Sequence, residues 1–560
     1  MNKEHKKRIV NIAVLTLVLL ISGAFAFSNF NQRVLNDRDG DNTFVGGRVH
    51  DYYNRDTGNK DVFVENYSEH PIMVRIRLAE YMEIKKRGET AVKPLVPNTS
   101  RSNIESWTIW KPSLNDINVR ADNDNSNYFE HYTDLYFGWK EGNNNTPWYL
   151  RTFNRDPQSN ITAAAGHARD YVIGGGATDA NTDGRTHPGD GTDGYWNHRV
   201  GPGFTIGFFV ENNEDWIIGD VPLNPTRGVL PEDRPPMTLH NWENELPDEE
   251  KIGNFWVVDH ETGWAYWASQ LHRGRATSYF LDEAKRGVLS KDVSLVRYYY
   301  AIDVQSELIG LGNFRFKDEP TEGYGGGVGK LLKGIRNNAV DKADDNPDSD
   351  VDSHVNDFNF ETMNPGRIFT MAGHEFRYLE NMGEGNHLII LNDTLRYTTF
   401  NAQEERLESW YEKELNSEIK TIVAPVAQSF PSDGVTQVEA ELDTMHFRAQ
   451  TLPPAVAADE TKLVPNGIER AFALSLADVN RLSGPGLGFR NLSERSLFTT
   501  IGWWWLRTTG APHTAWQVAT GADHVALRNP GGNLTGHPPR HLGAVDSGGV
   551  RPALIIHQAL

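Results

Sequence analysis

Asp61-Val62-Phe63-Val64-Glu65-Asn66, then Tyr67-Ser68-Glu69-His70, then Pro71-Ile72-Met73-Val74-Arg75-Ile76-Arg77-Leu78-Ala79-Glu80-Tyr81: the fold is decided here. From Ile72 to Leu78 a large aliphatic residue occupies every second position. Successive side chains of an extended chain point to opposite faces, so this period of two predicts a half-buried strand. The polar residues between the two runs are turn formers, which predicts a hairpin or a crossover between two sheets.

Working outward, strand-like runs follow at residues 106–110, 135–139, 204–210, 254–258, 264–269 and 295–304. Long polar loops rich in Gly and Asn separate several of them, and few helical periods intervene. Residues 40–316 therefore read as a β-sandwich with long loop insertions. Residues 317–363 read as an acidic Gly/Asp-rich linker, because Gly325-Gly326-Gly327 leads into an Asp-dense, aromatic-free stretch. Residues 329–340 carry the one helical pattern within it. A second unit, residues 364–560, begins with strand-like runs. Leu407, Trp410, Tyr411 and Leu415 lie on one face of an amphipathic helix over 402–415, and residues 475–482 form another short one.

At the other end, residues 1–27 have the layout of a secretory signal peptide. Lys3, Lys6, Lys7 and Arg8 precede an apolar stretch, and Ala24-Phe25-Ala26 is a cleavage pattern. A retained membrane anchor is the competing reading of this segment. The expected location is secreted or at the cell surface, with membrane contact only through an uncleaved leader. The chain of 560 residues has no cysteine, which excludes disulfides, thiol catalysis and Cys-ligated metal. Its net charge of −20 argues against nucleic acid as a partner, since phosphate binding needs a basic surface.

Motifs that carry chemistry are sparse. Asp179, Asn181, Asp183, Gly184 and Asp190 occupy positions 1, 3, 5, 6 and 12 of a calcium loop of the EF-hand type, so Ca²⁺ is the one candidate cofactor. Asp is a short twelfth ligand, and glycines rather than helices flank the loop, so a polar surface loop is the alternative. Asp348, Asp350 and Asp352 repeat the spacing without the glycine. His537 and His541 are four apart, but Pro538-Pro539 forbids the helix that would align them. No G-x-S-x-G occurs, and the 75 acids single out no carboxylate pair. The expectation is that the protein is not an enzyme.

Trp503-Trp504-Trp505 cannot all face one way in a strand, so at least one is expected at the surface or along a groove. With Arg507 this run is the candidate ligand site, since exposed Trp stacks on sugar rings; core packing is the alternative.

Two resemblances accompany these readings. The leader followed by residues 61–81 resembles the opening of TasA/camelysin-like exported matrix proteins, whose pattern V-x-V-x-N-x-S-x-x-P-x-x-V-R-V corresponds to residues 62–81. The resemblance implies a jelly-roll-like sandwich and a surface or biofilm-matrix role, although simple fibre-forming members are much shorter. The blocks Ala471-Phe472-Ala473-Leu474-Ser475, Trp504-Trp505-Leu506-Arg507-Thr508 and Gly549-Val550-Arg551-Pro552-Ala553-Leu554 resemble a domain of unknown function in Gram-positive surface proteins. That resemblance implies a C-type-lectin-like α+β domain, with Arg507 and Arg551 as buried framework residues. The leading expectation is thus a mainly β, non-enzymatic exported protein of the cell surface or matrix. An adhesin that binds a cell-surface glycan or protein through its C-terminal domain is the second reading, and an extracellular hydrolase a distant third.

Overall fold

The computed structural model describes residues 33–35, 47–54, 59–66, 70–122, 125–138, 216–218, 221–223, 234–272, 277–286, 295–311, 315–317, 326–431, 434–435, 451–495, 503–510, 514–519, 534–536 and 548–559. The leader, the run at 204–210, the 179–190 loop and His537 and His541 lie outside them. Strand exceeds helix, 35% to 21%, so the protein is mainly β; several of its sheets are mixed and none closes on itself. No helix of the described residues is long and apolar enough to cross a membrane.

The N-terminal unit holds β1 (Arg33–Leu35), β2 (Gly47–Asn54), β3 (Asn59–Asn66), β4 (Ile72–Lys86), β5 (Lys93–Pro94), β6 (Thr108–Ile109), β7 (Thr133–Phe137), β8 (Trp216–Ile218), β9 (Val221–Leu223), β10 (Met237–Thr238), β11 (Trp256–Val258), β12 (Ala265–Trp267), β13 (Leu281–Arg286) and β14 (Leu295–Gly310). Its spine is the antiparallel pair β4 and β14, in register from Ile72 opposite Gly310 to Lys85 opposite Arg297, with an irregularity before Leu295 pairs Lys86. The large sheet runs β1-β14-β4-β12-β11-β10, and β2-β3-β13-β7 form a smaller one. The period of two explains how they meet. Ile72, Val74, Ile76 and Leu78 of β4 share one apolar cluster with Val62 and Val64 of β3, Leu135 and Phe137 of β7, and Trp110, Trp256, Trp267 and Phe280.

The intervening face of β4 is covered as well, against the half-buried expectation. Met73, Val257, Tyr266 and Ile309 pack under α1 (Leu239–Glu245) and α2 (Gly326–Asn337), which insert Leu239, Trp242, Leu331, Leu332 and Ile335. Arg75 is consequently buried. Its guanidinium pairs with Glu307 and lies over the rings of Trp264 at 4.1 Å and Phe316 at 4.7 Å. A cation on an enclosed face is tolerated where a carboxylate and aromatic faces replace water.

The span read as an acidic linker holds α2 and a packed loop. Three apolar side chains of α2 bury against the large sheet, and the acids that follow act as hydrogen-bond acceptors. Asp348 accepts from Asn337, Asp345 from Asn359 and Thr362, and Asp352 from the Gly373 N–H, while Asp341 pairs with Arg367. These acids meet donors of the protein, so the run does not repel itself into an extended tether.

The C-terminal unit comprises β15 (Asp352–Ser353), β16 (Ile368–Met371), β17 (His374–Gly383), β18 (Asn386–Leu391), β19 (Leu395–Thr398), β20 (Trp503–Gly510), β21 (Thr514–Ala519), β22 (Leu534–Gly536), β23 (Gly548–Val550) and β24 (Ala553–His557). They form two sheets, β15-β16-β17-β18-β24 and β19-β23-β20-β21-β22. Both carry apolar residues on both faces. Ile389, Leu391, Leu554 and Ile556 enter one cluster, with Leu407, Trp410 and Tyr411 of α3 (Gln403–Lys413). Leu388, Ile390, Ala553 and Ile555 enter the other, with Leu476 and Val479 of α4 (Leu476–Arg481). Both expected helices are therefore present. Ser475 caps α4 in a reciprocal box with Asp478, which satisfies two of the backbone N–H groups that a helix start leaves free.

Candidate functional site

The tryptophan run lies on β20, the central strand of its sheet. The pleat sends Trp504 and Trp505 to opposite faces, as the sequence requires. Trp504 is packed among Leu379, Leu388, Phe472 and Phe489, and Trp505 among Leu407, Tyr411 and Val550. Both are fully buried, and their indole N–H groups donate to the Arg495 and Thr398 carbonyls at 3.3 and 3.1 Å. Neither of these two offers an exposed platform: the sheet has a core on each side, so opposite faces do not mean one wet face. Trp503 pairs with Ala519 across the ladder.

Arg507, further along β20, is enclosed in a carboxylate cage. Its Nη2 donates to Asp459 Oδ1 at 2.8 Å and to the Asp459 carbonyl at 2.9 Å. Its Nη1 donates to Asp478 Oδ2 at 3.1 Å, Thr461 Oγ1 at 2.8 Å and the Ala473 carbonyl at 2.9 Å. The Phe430 ring lies 4.2 Å from the guanidinium carbon. The two acids come from sequence positions far from Arg507, and Asp478 belongs to the helix cap. This arginine thus locks α4 and the 459–461 segment to β20, and its donors are spent on the protein itself.

Arg551 is the opposite case. It is buried between β23 and β24, and its Nε donates to the Leu391 carbonyl at 2.7 Å. Its guanidinium carbon is 5.4 Å from the Trp504 ring centroid and 5.6 Å from that of Phe489. Nη1 and Nη2 are enclosed and find no hydrogen-bond partner among the described residues. Burial, and then the neighbouring Arg377, push this guanidinium well below its ordinary range.

Around it, Arg377, Arg490 and Arg495 are buried too, with Glu494 as the carboxylate among them. Burial opposes ionisation of Glu494, but Arg490 and Arg377 outweigh it and hold the carboxyl below its ordinary value. Glu494 accepts from Arg490 Nε at 3.0 Å and Arg377 Nη1 at 3.3 Å. Arg490 also donates to the Asn338 carbonyl just past α2, which ties this cluster to the N-terminal unit. Burial alone lowers Arg495 to about 9. In sequence only the Arg551 motif announces this cluster; the other members come together through the fold.

The N-terminal unit contains a comparable clamp that no motif signals. Glu80 on β4 accepts two hydrogen bonds from Arg120, at 2.5 and 2.8 Å, and one from the Tyr300 hydroxyl on β14 at 2.6 Å. Burial and Glu80 keep that phenol protonated far above its usual range.

Among the described residues, no group of three or more His, Asp or Glu side chains is arranged to hold a metal ion. Asp179, Asn181, Asp183 and Asp190 lie outside them. Asp348 and Asp352, from the weaker calcium-like spacing, are each engaged with donors of the protein. No family model, curated protein or solved structure matches the chain.

Proposed function

We propose that the protein is a non-enzymatic, exported component of the cell surface or extracellular matrix. In this reading the N-terminal unit is a jelly-roll-like sandwich and the C-terminal unit a C-type-lectin-like α+β domain. The observation that carries the proposal is the use made of the residues most suited to ligand chemistry. Trp504 and Trp505 fill two cores, and Arg507 is consumed by Asp459 and Asp478. Side chains of high binding value spent on internal rigidity suit a load-bearing or scaffolding body. The leader at residues 1–27 supports export.

The test uses the full chain in an expressing cell. The expected result is recovery from the matrix or wall fraction with a new N-terminus at Phe27, and no saturable binding to cell-wall or host glycans with or without Ca²⁺. Retention in the cytoplasm would overturn export. Saturable glycan binding would move the assignment to an adhesin, acting through surfaces other than Trp504 and Trp505.

A further inference from the structure

Arg507 and Arg551 are both buried arginines of the C-terminal unit, and their surroundings differ in one respect. Arg507 faces two carboxylates and has partners for every nitrogen. Arg551 has five N–H donors and spends the Nε donor on a carbonyl, while Nη1 and Nη2 have no partner among the described residues. Guanidinium does not shed its proton in proteins, so it cannot escape burial by becoming neutral. The buried cation nearest in effect is another arginine, Arg377, whose Nε is enclosed without a hydrogen-bond partner among the described residues.

Compensation among the described residues falls short. Glu494 already serves both Arg490 and Arg377. The acids that act on Arg551 are Asp393 and Glu375, and both are exposed, so water screens them. A water molecule could accept the orphaned N–H groups but brings no charge. A bound anion meets the charge and hydrogen-bond demand together. Arg377 stands opposite Ile390, which stands opposite Ala553, two residues beyond Arg551, so the fold brings both arginines to the same end of this sheet. With Trp504 and Phe489 packed against Arg551, the surroundings are apolar and closed.

We propose that Arg551, assisted by Arg377, binds a small inorganic anion of the charge and size of chloride, on the face of the C-terminal sheet covered by Trp504 and Phe489. Fully enclosed donors beside two aromatic rings select a small monovalent ion, since every further charge would have to be desolvated at the same place. The bound ion would tie β18, β24 and the 489–495 segment together. This inference is independent of the surface-matrix reading, because it concerns a site that stabilises the fold whatever the protein does.

The experiment is thermal unfolding of the full chain at constant ionic strength, with sodium gluconate replaced stepwise by sodium chloride or sodium bromide. A ligand that binds only the folded state raises Tm with concentration. The expected result is a saturable rise in Tm with either halide. That rise is lost in Arg551→Met and kept in Arg507→Met, a variant that is destabilised but has its cation removed elsewhere. Equal Tm values in all salts, or a halide dependence unchanged in Arg551→Met, would overturn the proposal. Should Arg551→Met fail to fold, anomalous scattering from crystals of the unaltered protein in bromide decides. A peak beside Arg551 Nη1 and Nη2 supports the site, and peaks found only at the surface sink it.

Discussion

Arg507 sits within 2.8 Å of Asp459 and 3.1 Å of Asp478, both buried, so its removal strands two carboxylates away from water. Losing one member of a buried ion pair costs about 3–5 kcal/mol. Arg507→Met is therefore expected to lower unfolding free energy by about that amount in urea titration, and a loss under about 1 kcal/mol would show that the cage does not hold α4. Trp504→Ala and Trp505→Ala each open a cavity in a different core, and about 3–5 kcal/mol is expected from each. His387 offers a pH test. It lies 2.9 Å from the Tyr378 hydroxyl and is buried, and burial pulls its pKa below the ordinary 6.5. The unfolded chain then takes up this proton near pH 6.5 while the folded one refuses it until lower pH. Stability contributed by neutral His387 is full above about 6.5 and falls as pH drops toward the lowered folded pKa. In His387→Gln the fall as pH drops below about 6.5 should be shallower than in the unaltered chain, and parallel curves would refute this assignment.

At the scale of elements, propensity and packing compete in α2. Gly334 lies inside the helix, where alanine would gain about 1 kcal/mol in intrinsic preference. A β-carbon there would meet Val340 Cγ2 at 2.7 Å and Ile252 Cδ1 at 3.0 Å. Overpacking of that kind costs about 1–3 kcal/mol, so Gly334→Ala is expected to be net destabilising, by thermal melting, despite the better helix former. The α4 cap gives a simpler case. Ser475 Oγ accepts the Asp478 N–H at 2.9 Å, and Ser475→Ala should cost about 1 kcal/mol or somewhat more. Helices α3 and α4 were legible in the sequence, because Leu407, Trp410 and Tyr411 recur at helical spacing and Ser475 with Asp478 spells a start. The second buried face of β4 was not legible. Arg75 reads as solvent-facing, and only the arrival of α1 and α2 from distant sequence shows otherwise.

At the scale of the molecule, the two units are joined by more than the chain between them. Helix α2 packs on the large N-terminal sheet, and just past it the Asn338 carbonyl accepts from Arg490 while the Asn338 amide donates to the Gly366 carbonyl at 2.9 Å. Asn338 has φ of 58°, the left-handed conformation that asparagine tolerates at the end of a helix. Calorimetry of the full chain is expected to show one cooperative transition, separating into two in Arg490→Met. Two transitions in the unaltered protein would mean that this junction does not couple the units.

The amino-acid order alone determined the mainly β class, the period-two strand at 72–78, the α3 and α4 helices and the opposite facing of Trp504 and Trp505, because these depend on neighbours within a few residues. The tertiary structure decided what each face meets. It gave Trp504 and Trp505 a core apiece, turned an acidic run into a packed loop of acceptors, and brought Glu80 together with Arg120 and Tyr300. It also paired Arg507 while leaving two nitrogens of Arg551 without partners among the described residues. Burial and charge compensation depend on groups tens to hundreds of residues apart, and no local pattern records them.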